Sequence, residues 1–212
     1  MLAFHNAIIP MNASSPATLR VVILAAGFSA RLGQPKALAR IHGLNLLRRA
    51  LQAAAGLGVR PVIIIPRHAV RYRLAARASA ADFVENSHRA AGLSSSVRLG
   101  IRAARYAPAV LLMPVDLCEL KERELEQLVR RWQAARRKVV ARRIESHGAT
   151  PLVLPRRLFA RAANVVGDTG LRELLTQLPA NELALVNLPS AAFDIDTAQD
   201  LRAARTRFGR AS

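Results

Sequence analysis

Cysteine, aromatic side chains and acidic residues are all scarce in this chain, and each scarcity excludes something. A single cysteine, Cys118, rules out an intrachain disulfide and any zinc site built on several thiolates. It suits a reducing compartment, so a cytoplasmic location is expected. Aromatic residues make up 4% of the 212, too few for the stacking platforms on which single-stranded nucleic acid lies. No apolar run approaches the roughly 18 residues of a membrane span, and no membrane partner is expected. The five histidines, His5, His42, His68, His88 and His147, show no i, i+4 pairing or metal-ligand spacing.

Acidic residues number 14 against 32 lysines and arginines, a net charge of +18. Such a surface attracts anions of every kind. The charge is spread from Arg20 to Arg210 rather than gathered in a tail. Its densest part, "VRRWQAARRKVVARR" (Val129–Arg143), has Leu125, Leu128, Val129 and Trp132 at helical spacing on the other face. That pattern reads as the solvated face of an amphipathic helix, and nucleic acid is not expected as a partner. The opening "MLAFHNAIIPMNASSPATLR" has no basic segment ahead of its apolar stretch, so it does not read as a secretory signal. Residues 1–19 are expected to form a flexible extension and 20–212 one domain.

What the chain does have is alternation. Apolar, β-branched runs occur at Val21–Ala26, Pro61–Pro66, Asp82–Asn86, Ala109–Val115, Lys138–Arg142, Pro151–Pro155 and Leu183–Pro189. Helical patterns lie between and after them, at Asn45–Gly58, Ala69–Ser79, Ser95–Tyr106, Glu122–Arg137, Arg156–Val166, Leu171–Leu178 and Thr197–Phe208. Several runs are apolar throughout, as strands covered on both faces are. The expected fold is therefore α/β: a single three-layer, Rossmann-like domain with a mostly parallel sheet and helices on both faces.

The first strand runs into "LAAGFSARLGQPK" (Leu24–Lys36), whose Gly27, Gly33 and Pro35 all oppose a helix. A loop at the carboxyl end of a strand is where open α/β sheets bind ligands. Gly27 and Gly33 have the spacing of a phosphate-binding P-loop, but Gln34 stands where the lysine should. The dinucleotide fingerprint is absent, because Phe28 and Ser29 follow Gly27. What remains is a backbone left open by Ala25, Ala26 and Gly27, a hydroxyl donor in Ser29, and two cations, Arg31 and Lys36, suited to phosphate oxygens.

This string resembles the signature of the nucleotidyltransferases related to molybdenum cofactor cytidylyltransferase and guanylyltransferase. The resemblance implies a nucleotide-diphospho-sugar transferase-like fold and spans about residues 20–205. It implies nucleotide binding by Leu24, Ala25, Ala26, Gly27, Ser29, Arg31 and Lys36. "NSHRAAGLSSSVRLGI" (Asn86–Ile101) looks like the family's Asn…Gly-x-x-x-Ser segment, adding Asn86, Gly92, Ser94 and Ser96 near base and ribose; the serines also suit a plain helix N-cap. "LLMPVDLCEL" ends a strand with Asp116, which either helps to hold Mg²⁺ or caps the following helix. "FDIDTAQDL" resembles the family's closing motif, with Asp194 or Asp196 as the second metal carboxylate and Thr197 capping the last helix. "GATPLVLPRRLF" and "GDTGLRELL" look like the acceptor side, with Gly148 and Pro151 in a glycine loop and Gly167 and Asp168 in a turn; Asp168 also reads as a simple turn residue. Leu117 and Cys118 depart from the family pattern after the metal aspartate, and Ala198 replaces a proline.

The resemblance implies a Mg²⁺-dependent transfer of a nucleoside monophosphate to an acceptor phosphate, with Arg31, Lys36 and Asp116 as catalytic residues. The expected donor is CTP and the expected acceptor molybdopterin, with pyrophosphate released. GTP as donor, a sugar or alditol phosphate as acceptor, and a non-catalytic nucleotide- or nucleic-acid-binding module are the alternatives. Docking onto a molybdoenzyme or its maturation chaperone is neither supported nor excluded.

Overall fold

The computed structural model describes residues 18–77 and 79–209, with the side chains of 208 and 209 left aside. The expected extension, residues 1–19, falls outside this range except for its last two residues. Among the described residues no helix is long and apolar enough to cross a membrane.

The chain alternates strands and helices in the order β1 (Arg20–Leu24), β2 (Arg40–Ile41), β3 (Leu44–Asn45), α1 (Leu46–Ala55), β4 (Val62–Pro66), α2 (Val70–Ala76), β5 (Asp82–Asn86) and α3 (Leu93–Ala103). It continues with β6 (Ala109–Pro114), α4 (Glu122–Ala134), β7 (Val139–Ile144), β8 (His147–Pro155), α5 (Phe159–Ala163), α6 (Gly170–Thr176), β9 (Leu183–Val186) and α7 (Ala198–Gly209). Seven strands form one sheet in the order β5-β4-β1-β6-β8-β7-β9. β8 alone runs against the rest, antiparallel to both β6 and β7. The other pairings, β1 with β4 and β6, β4 with β5, and β7 with β9, are parallel.

The sheet is a buried middle layer because its strands are apolar on both faces. In β1, Val21 and Ile23 join the core beneath α1 and α4, with Leu46, Leu47, Leu125 and Trp132. Val22 and Leu24 join the opposite core beneath α3 and α6, with Val97, Leu171 and Leu174. The period of two along a strand divides neighbouring residues between the two cores. The mostly parallel α/β architecture is thus as expected.

The differences are local. β2 and β3 form a small hairpin that no apolar run announces. The expected strand Pro151–Pro155 is longer, beginning at His147 across a tight turn from β7. Helix α3 begins at Leu93, two residues before the expected start. The pattern at Arg156–Val166 folds as a 3-10 turn followed by the five-residue α5.

Candidate active site

Because β1 lies between β4 and β6, its carboxyl end opens at the middle of the sheet. Ala25 extends the strand by one bond, its N–H donating to the Ile64 carbonyl at 3.0 Å. That N–H is therefore taken by β4, and the open backbone of the loop starts after it. Leu24, Ala25 and Ala26 are buried. The chain then turns through a 3-10 segment, Ala30–Leu32, held between two left-handed residues, Ser29 (φ 56°) and Gly33 (φ 72°). Ser29 Oγ accepts from the backbone N–H of Lys36 at 3.0 Å. The hydroxyl expected to face a nucleotide thus fixes the loop that presents the lysine.

Lys36 points back to the end of β6. Its Nζ donates to Asp116 Oδ2 at 2.9 Å and to Asp196 Oδ1 at 2.7 Å. Arg31 Nη2 donates to the other oxygen of Asp196 at 2.8 Å. Burial works against the Lys36 charge, but the two carboxylates outweigh it and hold its pKa above the ordinary lysine value. The Lys36 hydrogen bond, opposed by burial and helped by the charges of Lys36 and Arg31, holds Asp196 below the usual aspartate range.

Asp116 has a neighbour that keeps this arrangement together: its carbonyl accepts from the Ile195 N–H at 3.3 Å, joining the closing motif to the end of β6. Asp116 does not cap α4. Lys121 precedes that helix, and its N–H donates to Glu124 Oε2 at 3.2 Å. Thr197 caps α7 as the sequence suggests, its Oγ1 accepting from the Asp200 N–H at 3.1 Å, and Asp200 joins it, Oδ2 accepting from the Thr197 N–H at 2.7 Å. This cap bears on how the two aspartates that the resemblance offers as the second metal carboxylate are placed. Asp196 turns to Lys36, whereas Asp194 is exposed and does not bond that lysine, its charge acting on Arg142 instead.

Arg142, on β7, is a residue that sequence reasoning misses. Burial lowers its pKa, and the charges of Asp194 and Asp116 oppose that shift. It donates to the Ala191 carbonyl, and its buried Nε has no partner. Nothing local distinguishes it among 32 lysines and arginines. Only the position of β7 near the end of β6 brings it to the carboxylates.

On the other flank, the buried Asn86 donates from Nδ2 to Ser95 Oγ at 2.8 Å and to Ser96 Oγ at 3.0 Å. Ser94 and Ser95 donate to the carbonyls of Ala91 and Gly92. The serines occupy the first turn of α3 and do not cap it. The cap comes from Asp168, whose Oδ1 accepts from the Leu93 N–H at 2.7 Å, while the Gly167 carbonyl accepts from Ser94 N–H at 3.0 Å. Gly92 allows this approach: its φ is +82°, and a Cβ would lie 2.7 Å from Asp168 Oδ1. Asp168 is therefore more than a turn residue, and the expected acceptor side touches the expected nucleotide side.

Gly148 and Pro151 lie in β8, correcting the expectation of a glycine loop. A Cβ on Gly148 would meet Ala141, Leu185 and Leu175 at 3.1 to 3.4 Å, so close packing explains its size. The antiparallel register sets the start of β8 beside the end of β6.

Two carboxylates from separate loops closing on one cation make a donor set of hard oxygens. That suits a divalent ion held by one or two carboxylates together with substrate phosphates. Among the described residues there is no group of three or more potential His, Cys, Asp or Glu ligands.

A family model described as the MobA-like NTP transferase domain matches residues 21–182. No curated protein matches significantly in sequence. Among solved structures, Rv0371c from Mycobacterium tuberculosis is 23% identical, with a TM-score of 0.72 over 90% of this chain and 99% of that one; a second structure of it is a complex with manganese. Molybdopterin-guanine dinucleotide biosynthesis protein A from Archaeoglobus fulgidus is 16% identical, with a TM-score of 0.70 over 91% of this chain and all of the other. The 2-C-methyl-D-erythritol 4-phosphate cytidylyltransferase from Thermus thermophilus is 21% identical, with a TM-score of 0.67 over 90% and 98%. The chain belongs to the MobA-like NTP transferase family.

Proposed function

As a member of that family, we propose, the protein is a Mg²⁺-dependent cytidylyltransferase that moves CMP from CTP onto the phosphate of molybdopterin and releases pyrophosphate. The observation that carries the nucleotide-transfer part is the meeting of Lys36 and Arg31 with Asp116 and Asp196 at the carboxyl end of the sheet. The CTP and molybdopterin assignments rest on the signature loop and on the segments from Gly148 to Asp168. The Archaeoglobus relative, named for guanine dinucleotide synthesis, favours GTP as the second reading. A cytoplasmic location belongs to the proposal, as does delivery to a molybdoenzyme or its chaperone.

In the proposed reaction an oxygen of the acceptor phosphate attacks the α-phosphorus of the triphosphate. The new P–O bond forms as the bond from the α-phosphorus to the bridging oxygen breaks, and the electron pair leaves on pyrophosphate. The acceptor oxygen is already anionic, so no residue need take a proton. Lys36 moves from the carboxylates to the α-phosphate and offsets charge there, while Arg31 holds the outer phosphates. Asp116 and Asp196, released from Lys36, would hold a divalent ion, which when bound neutralises phosphate charge. Gly148, Pro151, Gly167 and Asp168 shape the acceptor side, and Asn86, Gly92, Ser94 and Ser96 the nucleoside side.

The test is pyrophosphate release from CTP, and separately from GTP, with molybdopterin and Mg²⁺. Release with CTP that requires both molybdopterin and Mg²⁺ supports the proposal. Release only with GTP selects the second reading. A protein that releases none, binds nucleotide without Mg²⁺ and loses affinity steeply with salt is an electrostatic binder instead.

A further inference from the structure

The charge of the chain is least balanced at the end of the sheet away from Lys36. The six parallel strands begin there and the antiparallel β8 ends there. Of the 14 acidic residues, Asp82 and Glu182 alone lie within two residues of those strand ends. Both are engaged: Asp82 pairs with Arg20 at 2.7 Å and Arg60 at 2.9 Å, and Glu182 with Arg157 at 2.7 Å. Arg105, Arg136, Arg137, Lys138 and Arg156 stand at the same end. Among the described residues no carboxylate pairs with any of these five.

These cations form one continuous surface. β6, β8 and β7 are neighbours in the sheet. The Arg156 N–H donates to the Pro108 carbonyl at 2.9 Å, so the segment after β8 lies against the one before β6. Arg157 Nε donates to the Arg137 carbonyl at 2.8 Å, which joins it to the segment before β7. Tyr106 is 60% exposed on the β6 side, with the Arg105 guanidinium 4.4 Å from its ring centroid. The hydrogen bond and charge of Arg105, followed by the charge of Arg156, hold its phenol below the ordinary tyrosine value. Seven strands at about 4.8 Å each make the edge about 30 Å wide, on the order of one side of a standard protein interface.

We infer that this edge is a docking surface for a partner protein that presents an acidic face. Arginine forks onto carboxylates and is more weakly hydrated than lysine, and all of the five cations but Lys138 are arginines. Arginine and tyrosine are also enriched where proteins meet. A guanidinium already lies on the Tyr106 ring, so the ring is no open platform for a nucleic-acid base. The edge is at the opposite end of the strands from Lys36, Asp116 and Asp196, and a protein docked on it leaves that end uncovered. The inference therefore stands apart from the transferase reading.

Titration with fluorescein-labelled poly-L-glutamate, followed by anisotropy at constant salt, tests the surface. Arg105→Glu combined with Arg156→Glu is expected to weaken binding about tenfold, as the loss of two exposed ion pairs would. The control combines Arg48→Glu with Arg123→Glu, exposed positions at the starts of α1 and α4. It changes the net charge equally but beyond the screening distance, and should weaken binding about threefold at most. Glutamine at the same positions keeps the comparison if the reversals lower the Tm. Equal losses in the two pairs would show attraction to net charge and overturn the docking surface, as would no binding by the unmodified protein. A single-stranded oligonucleotide or phosphatidylserine vesicles binding this edge more tightly than polyglutamate would overturn the assignment to an acidic protein.

Discussion

Lys36 Nζ donates to Asp116 Oδ2 at 2.9 Å although the two residues are 80 positions apart. The same ammonium bonds Asp196, so one cation holds together the loop after β1, the end of β6 and the start of α7. In the proposed reaction those charges separate, the lysine going to phosphate and the carboxylates to a divalent ion. Lys36→Ala or Asp116→Asn should lower turnover at least tenfold with an unchanged far-ultraviolet spectrum. Steady-state pyrophosphate release measures this, and near-normal turnover in both variants would refute the assigned roles.

In the proposed reaction the carboxylates that Lys36 bridges are those that would hold a metal. Without nucleotide, Mn²⁺ must displace an ammonium bonded to both carboxylates. Lys36→Met leaves Asp116 without its ammonium partner and Asp196 with Arg31 alone, so its affinity for Mn²⁺ alone should exceed that of the unmodified protein. Electron paramagnetic resonance of free Mn²⁺ reports the difference directly. Equal affinity would show that Lys36 does not guard the carboxylates.

The pH dependence has a defined sign. Asp196 is held below its ordinary value of 3.8, so its contribution is present above that pH and is lost as the pH falls through the depressed value. Lys36 is held above its ordinary 10.5, so its contribution is present below that pH and lost as the pH rises through the raised value. The cluster therefore stays intact through the neutral range. Asp196→Asn should show a smaller loss of Tm than the unmodified protein on acidification below about pH 4; identical acid profiles would contradict the coupling.

The Asp168–Leu93 contact predicts two different costs. Asp168→Ala removes the acceptor for the first N–H of α3 and should lower stability by about 1 kcal/mol, as the loss of a helix cap does. Gly92→Ala should cost more, because a Cβ would lie 2.9 Å from the Gly167 carbonyl carbon at a φ of +82°. Urea midpoints give the order, and Asp168→Ala exceeding Gly92→Ala would reverse it.

Where α3 crosses β1, a Cβ on Gly100 would come within 2.8 Å of Val22 Cγ1. Gly100→Ala gains helix propensity of about 1 kcal/mol but overpacks a filled core, which costs about 1–3 kcal/mol. A net loss of stability is expected by denaturant titration. A gain would mean that the helix can move away from the sheet.

Much of the molecule is legible before folding is considered. β5 runs over Asp82–Asn86 as its residues suggest, and the unbroken apolar runs of β1, β4 and β6 announce a sheet covered on both sides. Those signals are local, since side-chain polarity and periodicity act within a few residues. The signature loop is legible for the same reason: its small residues, turns and cations lie in one stretch. The β2–β3 hairpin escapes notice because two-residue strands have no periodicity to read.

By itself, then, the sequence determined the α/β class, the middle-layer strands and the loop that presents Arg31 and Lys36. Only the tertiary structure decided which carboxylates meet them. Asp194 and Asp196 are equivalent in pattern, and the α7 cap together with the Ile195 bond to Asp116 turns one of them to Lys36. The Asp168 cap on α3 spans 75 positions, and Arg142 reaches the carboxylates through strand order. Contacts at such separations depend on where strands and helices pack in three dimensions, and no local pattern encodes that.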